Sequence, residues 1–273
     1  MKGFQTKYYE IQSEKIKEYT EIKIAFLSDQ HGLEFGEGNC DLFDAIVREN
    51  PDIILIAGDM VVRSDLRTFS KAAEFLKKLA QRFRVYYALG NHEYKIMTDM
   101  EQCEHYAIYE KQLVTEGICI LHNQKLGTRI NGNDLVIYGL EIPIQYYKKP
   151  FSPYLETQEM KTLLGRCSSE EFSILLAHNP KYGKTYMEWG ADLTLSGHYH
   201  GGILRFGENC GLSCPQYLLF PPYCCGKFEE DGHHMIVTAG LGEHTIPLRI
   251  HNPRELIMIT LKNVHSCGES EKK

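Results

Sequence analysis

Five short apolar runs in this 273-residue chain stop in the same way, giving over to an acid, an asparagine or a histidine with a glycine or proline close by. Residues 22–27 lead into Ser28-Asp29-Gln30-His31-Gly32, residues 52–57 into Gly58-Asp59, and residues 85–89 into Gly90-Asn91-His92-Glu93. Residues 173–177 lead into His178-Asn179-Pro180, and residues 192–195 into Ser196-Gly197-His198-Tyr199-His200-Gly201-Gly202. An unbroken run of four to six apolar residues bounded by glycine reads as a strand buried on both faces. Such strands need helical cover, and the intervening stretches supply it. Residues 40–50 carry Leu42, Phe43, Ile46 and Val47 on one face and end at Pro51; residues 66–80 carry Phe69, Ala72, Ala73, Phe75, Leu76 and Leu79. The alternation predicts βαβ units with right-handed crossovers.

Past an amphipathic stretch at 99–116, with Tyr106, Ile108, Leu113 and Val114 predicted to face inward, the pattern changes. Runs at 118–121, 126–130 and 135–140 are split by Asn-Gln and Asn-Gly turns, which predicts antiparallel pairing. Residues 146–153 read as a surface loop, 156–164 and 181–189 as helices, and 203–206, 235–239, 246–250 and 255–261 as more strands of the second half. Residues 7–12 read as a short edge strand feeding the first core strand. The apolar loop at 217–223 is expected to pack against the second sheet rather than to form a lip for lipid or substrate.

With 43% hydrophobic residues the chain can bury a large core, and one α/β domain over residues 1–265 is expected, followed by a disordered tail at 266–273. A net charge of -6 argues against nucleic-acid duplexes as partners. No run of about 18 apolar residues occurs and the first residues have no apolar signal core, so neither membrane spanning nor export is expected. Nine cysteines then imply reduced thiols and a cytoplasmic setting. Cys210, Cys214, Cys224 and Cys225 could hold a structural zinc, but their spacing fits no usual knuckle, and free thiols are the expectation.

Taken singly, each strand end has an ordinary explanation: a capping aspartate, a solvent-facing histidine. Their joint occurrence, always at a strand terminus, is hard to explain as packing. In open α/β sheets ligands gather at the carboxyl ends of strands. A set that mixes carboxylate, imidazole and carboxamide suits two divalent cations of the manganese, iron or zinc kind better than a thiolate zinc site.

These five blocks, with Gly-Leu-Gly-x-x-x-x-Pro-Leu-Arg near the C-terminus, make the chain similar to the calcineurin-like metallophosphoesterases over roughly residues 22–261, and to their small bacterial single-domain branch. The resemblance implies a four-layer αββα sandwich, two mixed sheets flanked by helices. It implies one metal held by Asp29, His31, Asp59 and His200 and another by Asp59, Asn91, His178 and His198, with Asp59 shared. A bridging hydroxide would attack phosphorus in line. His92, beside a ligand yet unassigned to a metal, would give a proton to the leaving oxygen or stabilise its charge. Glu93 would orient His92 or a ligand imidazole, and His244 is expected to be an exposed bystander. Relatives of this branch often begin with an anchor or export signal, which this chain is not expected to carry.

The expected activity is hydrolysis of a phosphate ester, whether monoester, diester or pyrophosphate, on a small-molecule or lipid-linked substrate. The branch it resembles includes enzymes that cleave UDP-diacylglucosamine. The alternative is a non-catalytic scaffold of the same fold that binds a protein partner; such scaffolds usually lose ligands or the histidine after the asparagine, and here both are retained. A metallo-β-lactamase-type hydrolase is excluded, since no His-x-His-x-Asp-His run occurs. Oligomeric state is not encoded in any feature of the sequence.

Overall fold

The computed structural model describes residues 3–149, 151–212, 218–243 and 248–267. In chain order the main elements are β1 (Gln5–Gln12), β2 (Glu21–Leu27), α1 (Cys40–Glu49), β3 (Ile53–Ala57), α2 (Arg67–Ala80), β4 (Arg84–Ala88), α3 (Asn91–Met97) and α4 (Cys103–Thr115). They continue with β5 (Cys119–Ile120), β6 (Gln124–Ile130), β7 (Asn133–Leu140), α5 (Thr157–Leu164), β8 (Phe172–Ala177), α6 (Gly183–Trp189) and β9 (Leu193–Ser196). The last are β10 (Arg205–Phe206), β11 (Cys210–Gly211), β12 (Gly226–Glu230), β13 (His233–Val237) and β14 (Glu255–Lys262). One six-stranded sheet has the order β1-β14-β2-β3-β4-β5, and the other β12-β13-β9-β8-β7-β6.

Two-residue periodicity sorts the strand side chains into layers. From β3, Ile54 and Ile56 face a core shared with Leu42, Ile46, Phe75 and Leu76 of α1 and α2. The alternate residues Ile53 and Leu55 face Ile137, Ile174, Leu176 and Leu195 of the other sheet. On the far side, Tyr138 and Leu175 pack with Met160, Tyr186 and Trp189 of α5 and α6. The result is the expected αββα sandwich of two mixed sheets.

Several local expectations are corrected. The C-terminal strand β14 belongs to the first sheet, antiparallel to β2 and parallel to β1. It buries Ile257, Ile259 and Leu261 on one face and Leu256 and Met258 on the other, which demands a central place. β5 pairs parallel with β4, because two helices intervene and no tight turn joins them; only β6 and β7 form the antiparallel pair of that region. In α4 the buried residues are Tyr106, Tyr109 and Leu113, while Ile108 and Val114 face solvent; the true stripe runs at i, i+3 and i+7. The stretch at 146–153 is not wholly a surface loop: Tyr146 is buried and Tyr147 half-buried in a short 3-10 turn (Ile144–Tyr147). Leu219 and Phe220, 71% and 57% exposed, turn outward from the loop expected to pack on the sheet. Its Tyr217, like Cys214 and His244, lies outside the described residues. Ile250 makes a single parallel bridge to Leu204 rather than closing a strand. A 3-10 turn at Val264–Cys267 takes in the first two residues of the expected tail, and the rest is outside the described residues. No described helix is long and apolar enough to cross a membrane.

Candidate metal centre

The strand ends do more than stop near one another; their loops are zipped together by backbone hydrogen bonds. Beyond β2 and β3, the Asp29 amide donates to Gly58 O at 2.9 Å and the His31 amide to Asp59 O at 3.0 Å. In the second sheet the Gly197 amide donates to His178 O at 3.1 Å. This proximity needs bare backbone: a Cβ on Gly90 would lie 2.2 Å from Asp59 Oδ1, and one on Gly197 would lie 2.1 Å from Asp29 Oδ2. Asp29, His31, Asp59, His198 and His200 all have positive φ, between 51° and 64°. Each such residue costs about 1–2 kcal/mol relative to ordinary backbone, so the surrounding structure holds the turn that aims the side chain.

The side chains converge in overlapping groups. Ligand atoms of Asp29, His31 and His200 lie within 4.8 Å of one another, as do those of Asp59, His178 and His198, and those of His31, Asp59 and His92. Asp59 Oδ2 lies 3.0 Å from His178 Nε2 and 4.0 Å from His31 Nε2, so one carboxylate faces both halves. His31, Asp59, Asn91, His92, His198 and His200 all line one cleft of about 740 Å³.

Tautomers and charges follow from fixed partners. His178 Nδ1 sits 2.6 Å from Ala57 O, which only accepts, so Nδ1 carries a hydrogen and Nε2 is the ring nitrogen that faces Asp59 Oδ2. Burial alone would pull the His178 imidazole down, but Asp59 and Asp29 lift it to about 9. Burial opposes ionisation of Asp59, yet His178, His92 and His31 hold it well below the usual carboxylate range. Burial and the Asp59 charge push Asp29 up to about 6. His198 is held well below its ordinary value by burial and by His178. The pair of buried carboxylates therefore favours the charged form of His178, while burial leaves His198 neutral.

Asn91 Oδ1 and His198 Nε2 are buried and have no hydrogen-bond partner, and His178 Nε2 faces the Asp59 carboxylate at 3.0 Å. Orphaned buried acceptors are rare and costly. Two of them in one cluster with an imidazole and a carboxylate are a donor set a divalent cation satisfies, so the residues fit the metals that the sequence implies.

Two neighbours of the centre hold the loop that carries Asp59. Glu93 touches neither His92 nor a ligand ring. It accepts from the amides of Asp59 (2.8 Å), Met60 (2.7 Å) and Gly90 (3.1 Å) and from the Tyr87 hydroxyl (2.7 Å), bracing the loop that carries Asp59. His92 donates its own amide to Asp59 Oδ1 at 2.8 Å, and its Nδ1 accepts from the Arg63 amide at 3.1 Å. Sequence reasoning missed Tyr147, whose ring meets His198 edge-on at 5.2 Å, and Ser28, which donates to Asp29 Oδ2 at 2.9 Å. It also passed over Arg249, which bonds Ala239 O and Gly242 O beside His200, and Lys95, which lines the cleft. The signal for Lys95 was the helical spacing from Asn91, legible only once α3 is known. Among the described residues no cysteine joins a metal-capable group, and Cys210 and Cys225 are free thiols.

The chain is similar to known proteins. An uncharacterized metallophosphoesterase of Aquifex aeolicus is 30% identical over 256 residues, covering 93% of this chain and 90% of that one. The phosphodiesterase YaeI of Escherichia coli is 28% identical, covering 88% and 82%. A zebrafish (Danio rerio) transmembrane protein with a metallophosphoesterase domain is 31% identical, but the chain spans only 56% of its length. A 5'-nucleotidase precursor of Thermus thermophilus shares the fold, with a TM-score of 0.50 at 17% identity over 82% of this chain and 50% of that one. The profile described as calcineurin-like phosphoesterase matches residues 22–202, and the chain belongs to that family.

Proposed function

We propose that the protein hydrolyses a phosphate ester at a two-ion site, with Asp29, His31, Asp59 and His200 holding one divalent ion and Asp59, Asn91, His178 and His198 the other. The observation that carries this reading is the pair of orphaned buried acceptors, Asn91 Oδ1 and His198 Nε2, in the cleft with Asp59, whose Oδ2 faces both His178 and His31. Bound ions of the manganese, iron or zinc kind supply an acidified water for in-line attack and neutralise charge on the phosphoryl oxygens.

The chain's own groups do the positioning. Ala57 O fixes the His178 ring, and the His198 amide holds Asp29 through both carboxylate oxygens at 3.0 and 3.1 Å. A backbone amide can only donate, so the Arg63 contact leaves His92 Nδ1 unprotonated and puts the proton of the neutral ring on Nε2. Burial keeps the ring neutral by lowering its pKa. His92 therefore acts as a hydrogen-bond donor to the charge developing on the leaving oxygen, the second of the two roles the sequence allowed. Free thiols at Cys40, Cys103, Cys119, Cys167, Cys210 and Cys225 support a reducing, cytoplasmic setting.

The name of the Escherichia coli relative makes a phosphodiester the first substrate to test. After chelation and manganese restoration, bis(4-nitrophenyl) phosphate and 4-nitrophenyl phosphate are assayed side by side. Metal-dependent turnover of either is expected, and His92→Ala should lower kcat by roughly 10²-fold with metal content unchanged. No metal-dependent turnover in the parent protein would instead favour the scaffold that binds a protein partner.

A further inference from the structure

Lys95 stands on α3 one turn past Asn91 and His92, a spacing that stacks the three side chains on one helix face. It lines the cleft and is half-buried. Three other cations about the cleft have carboxylates: Lys71 meets Glu34, Arg67 meets Asp65 at 2.9 Å, and Arg63 meets Asp99. Lys95 has no carboxylate at ion-pair distance among the described residues. Burial lowers its pKa, the charges of Lys149 and Arg63 press the same way, and among the described residues the Asp59 charge opposes them. Once ions occupy the centre, that charge is spoken for. A half-buried ammonium facing other cations is costly until an anion arrives.

Resting on the phosphoesterase reading, we propose that Lys95, with Lys149 beside it on the cleft wall, forms a subsite for a second anionic group on the leaving portion of the substrate. The phosphoryl group would sit on the ions, and Lys95, next to His92, reaches the side from which the leaving oxygen departs. The enzyme would then select phosphate esters of acidic or phosphorylated alcohols over esters of neutral ones.

The test compares phenylphosphonate with 4-carboxyphenylphosphonate as competitive inhibitors of bis(4-nitrophenyl) phosphate hydrolysis by the manganese-loaded protein. The carboxylated inhibitor should bind about tenfold tighter, the worth of one charge-assisted pair. Lys95→Gln should bring the two within twofold, Lys95→Arg should keep a preference of at least about fivefold, and Lys149→Gln should leave about threefold. Lys184→Gln, exposed and paired with Glu188, should match the parent. A parent preference below twofold, or a tenfold preference that survives Lys95→Gln, overturns the subsite while turnover keeps the phosphoesterase reading intact. Absence of metal-dependent turnover, with neither phosphonate bound in calorimetry, removes both.

Discussion

The two proposed ligand clusters share Asp59 and differ in how their remaining donors are treated. On the cleft side, His31 and His200 stack with ring centres 5.1 Å apart and Nε2 atoms 3.2 Å apart, and the His31 side chain keeps 11% of its surface. On the deep side, the His178 side chain is wholly buried, and two acceptor atoms, Asn91 Oδ1 and His198 Nε2, have no hydrogen-bond partner. Unsatisfied buried acceptors cost free energy that a cation recovers. The deep cluster therefore has more to gain from its ion, and is expected to hold it more tightly.

The largest effects should come from breaking that asymmetry directly. Asp59→Asn removes the carboxylate common to both clusters and should cut activity by about 10³-fold or more, with both ions lost in elemental analysis. His178→Gln should weaken the deep ion by about 10–100-fold, and His31→Gln only the cleft-side ion. Chelator titration of the parent should release the cleft-side ion first; release in the opposite order, or of both together, would undo the contrast. Glu93→Gln sharpens it from behind. An amide in place of that carboxylate sets N–H against N–H among the bonds to Asp59, Met60 and Gly90, and Tm should fall by roughly 5–10 °C. Because the loop it braces carries the shared aspartate, affinity for both ions should fall in step, unlike the histidine variants.

The smallest effect comes from a histidine with carboxylate neighbours and no orphaned atom. His122 Nδ1 lies 2.6 Å from Glu141 and Nε2 3.0 Å from Glu110, and the Glu141 contact lifts its pKa to about 9 despite partial burial. A folded-state value above the ordinary 6.5 stabilises fully below about pH 6.5 and fades as pH rises through 9. Allowing for its partial exposure, about 1–2 kcal/mol is at stake. The Tm difference between the parent and His122→Gln should be roughly 3–5 °C at pH 6 and should vanish near pH 10. A difference that does not change with pH would show that the clamp is not ionic.

The candidate site was legible because its signals are local. A buried strand announces its end by the loss of apolar residues, and each of the seven residues read as ligands stands within five residues of such an end. What escaped was set by tertiary placement. β14 looked like its sequence neighbours, and only burial on both faces sends it to the first sheet. α3 has one fully buried apolar residue, Ile96, so no stripe marked it, and Lys95 went unread with it. Tyr147 reaches His198 across fifty residues of sequence, a relation that no periodicity encodes.

The positive φ angles at Asp29, His31, Asp59, His198 and His200 reach past the present chemistry. Aspartate, asparagine and histidine are the side chains that tolerate this backbone region best, and they are also good cation donors. Glutamate or cysteine could coordinate equally well in principle yet would fit the turn poorly. Drift at these five places is thus confined by conformation before chemistry is consulted, and redesign for a softer ion would have to begin by rebuilding the loops.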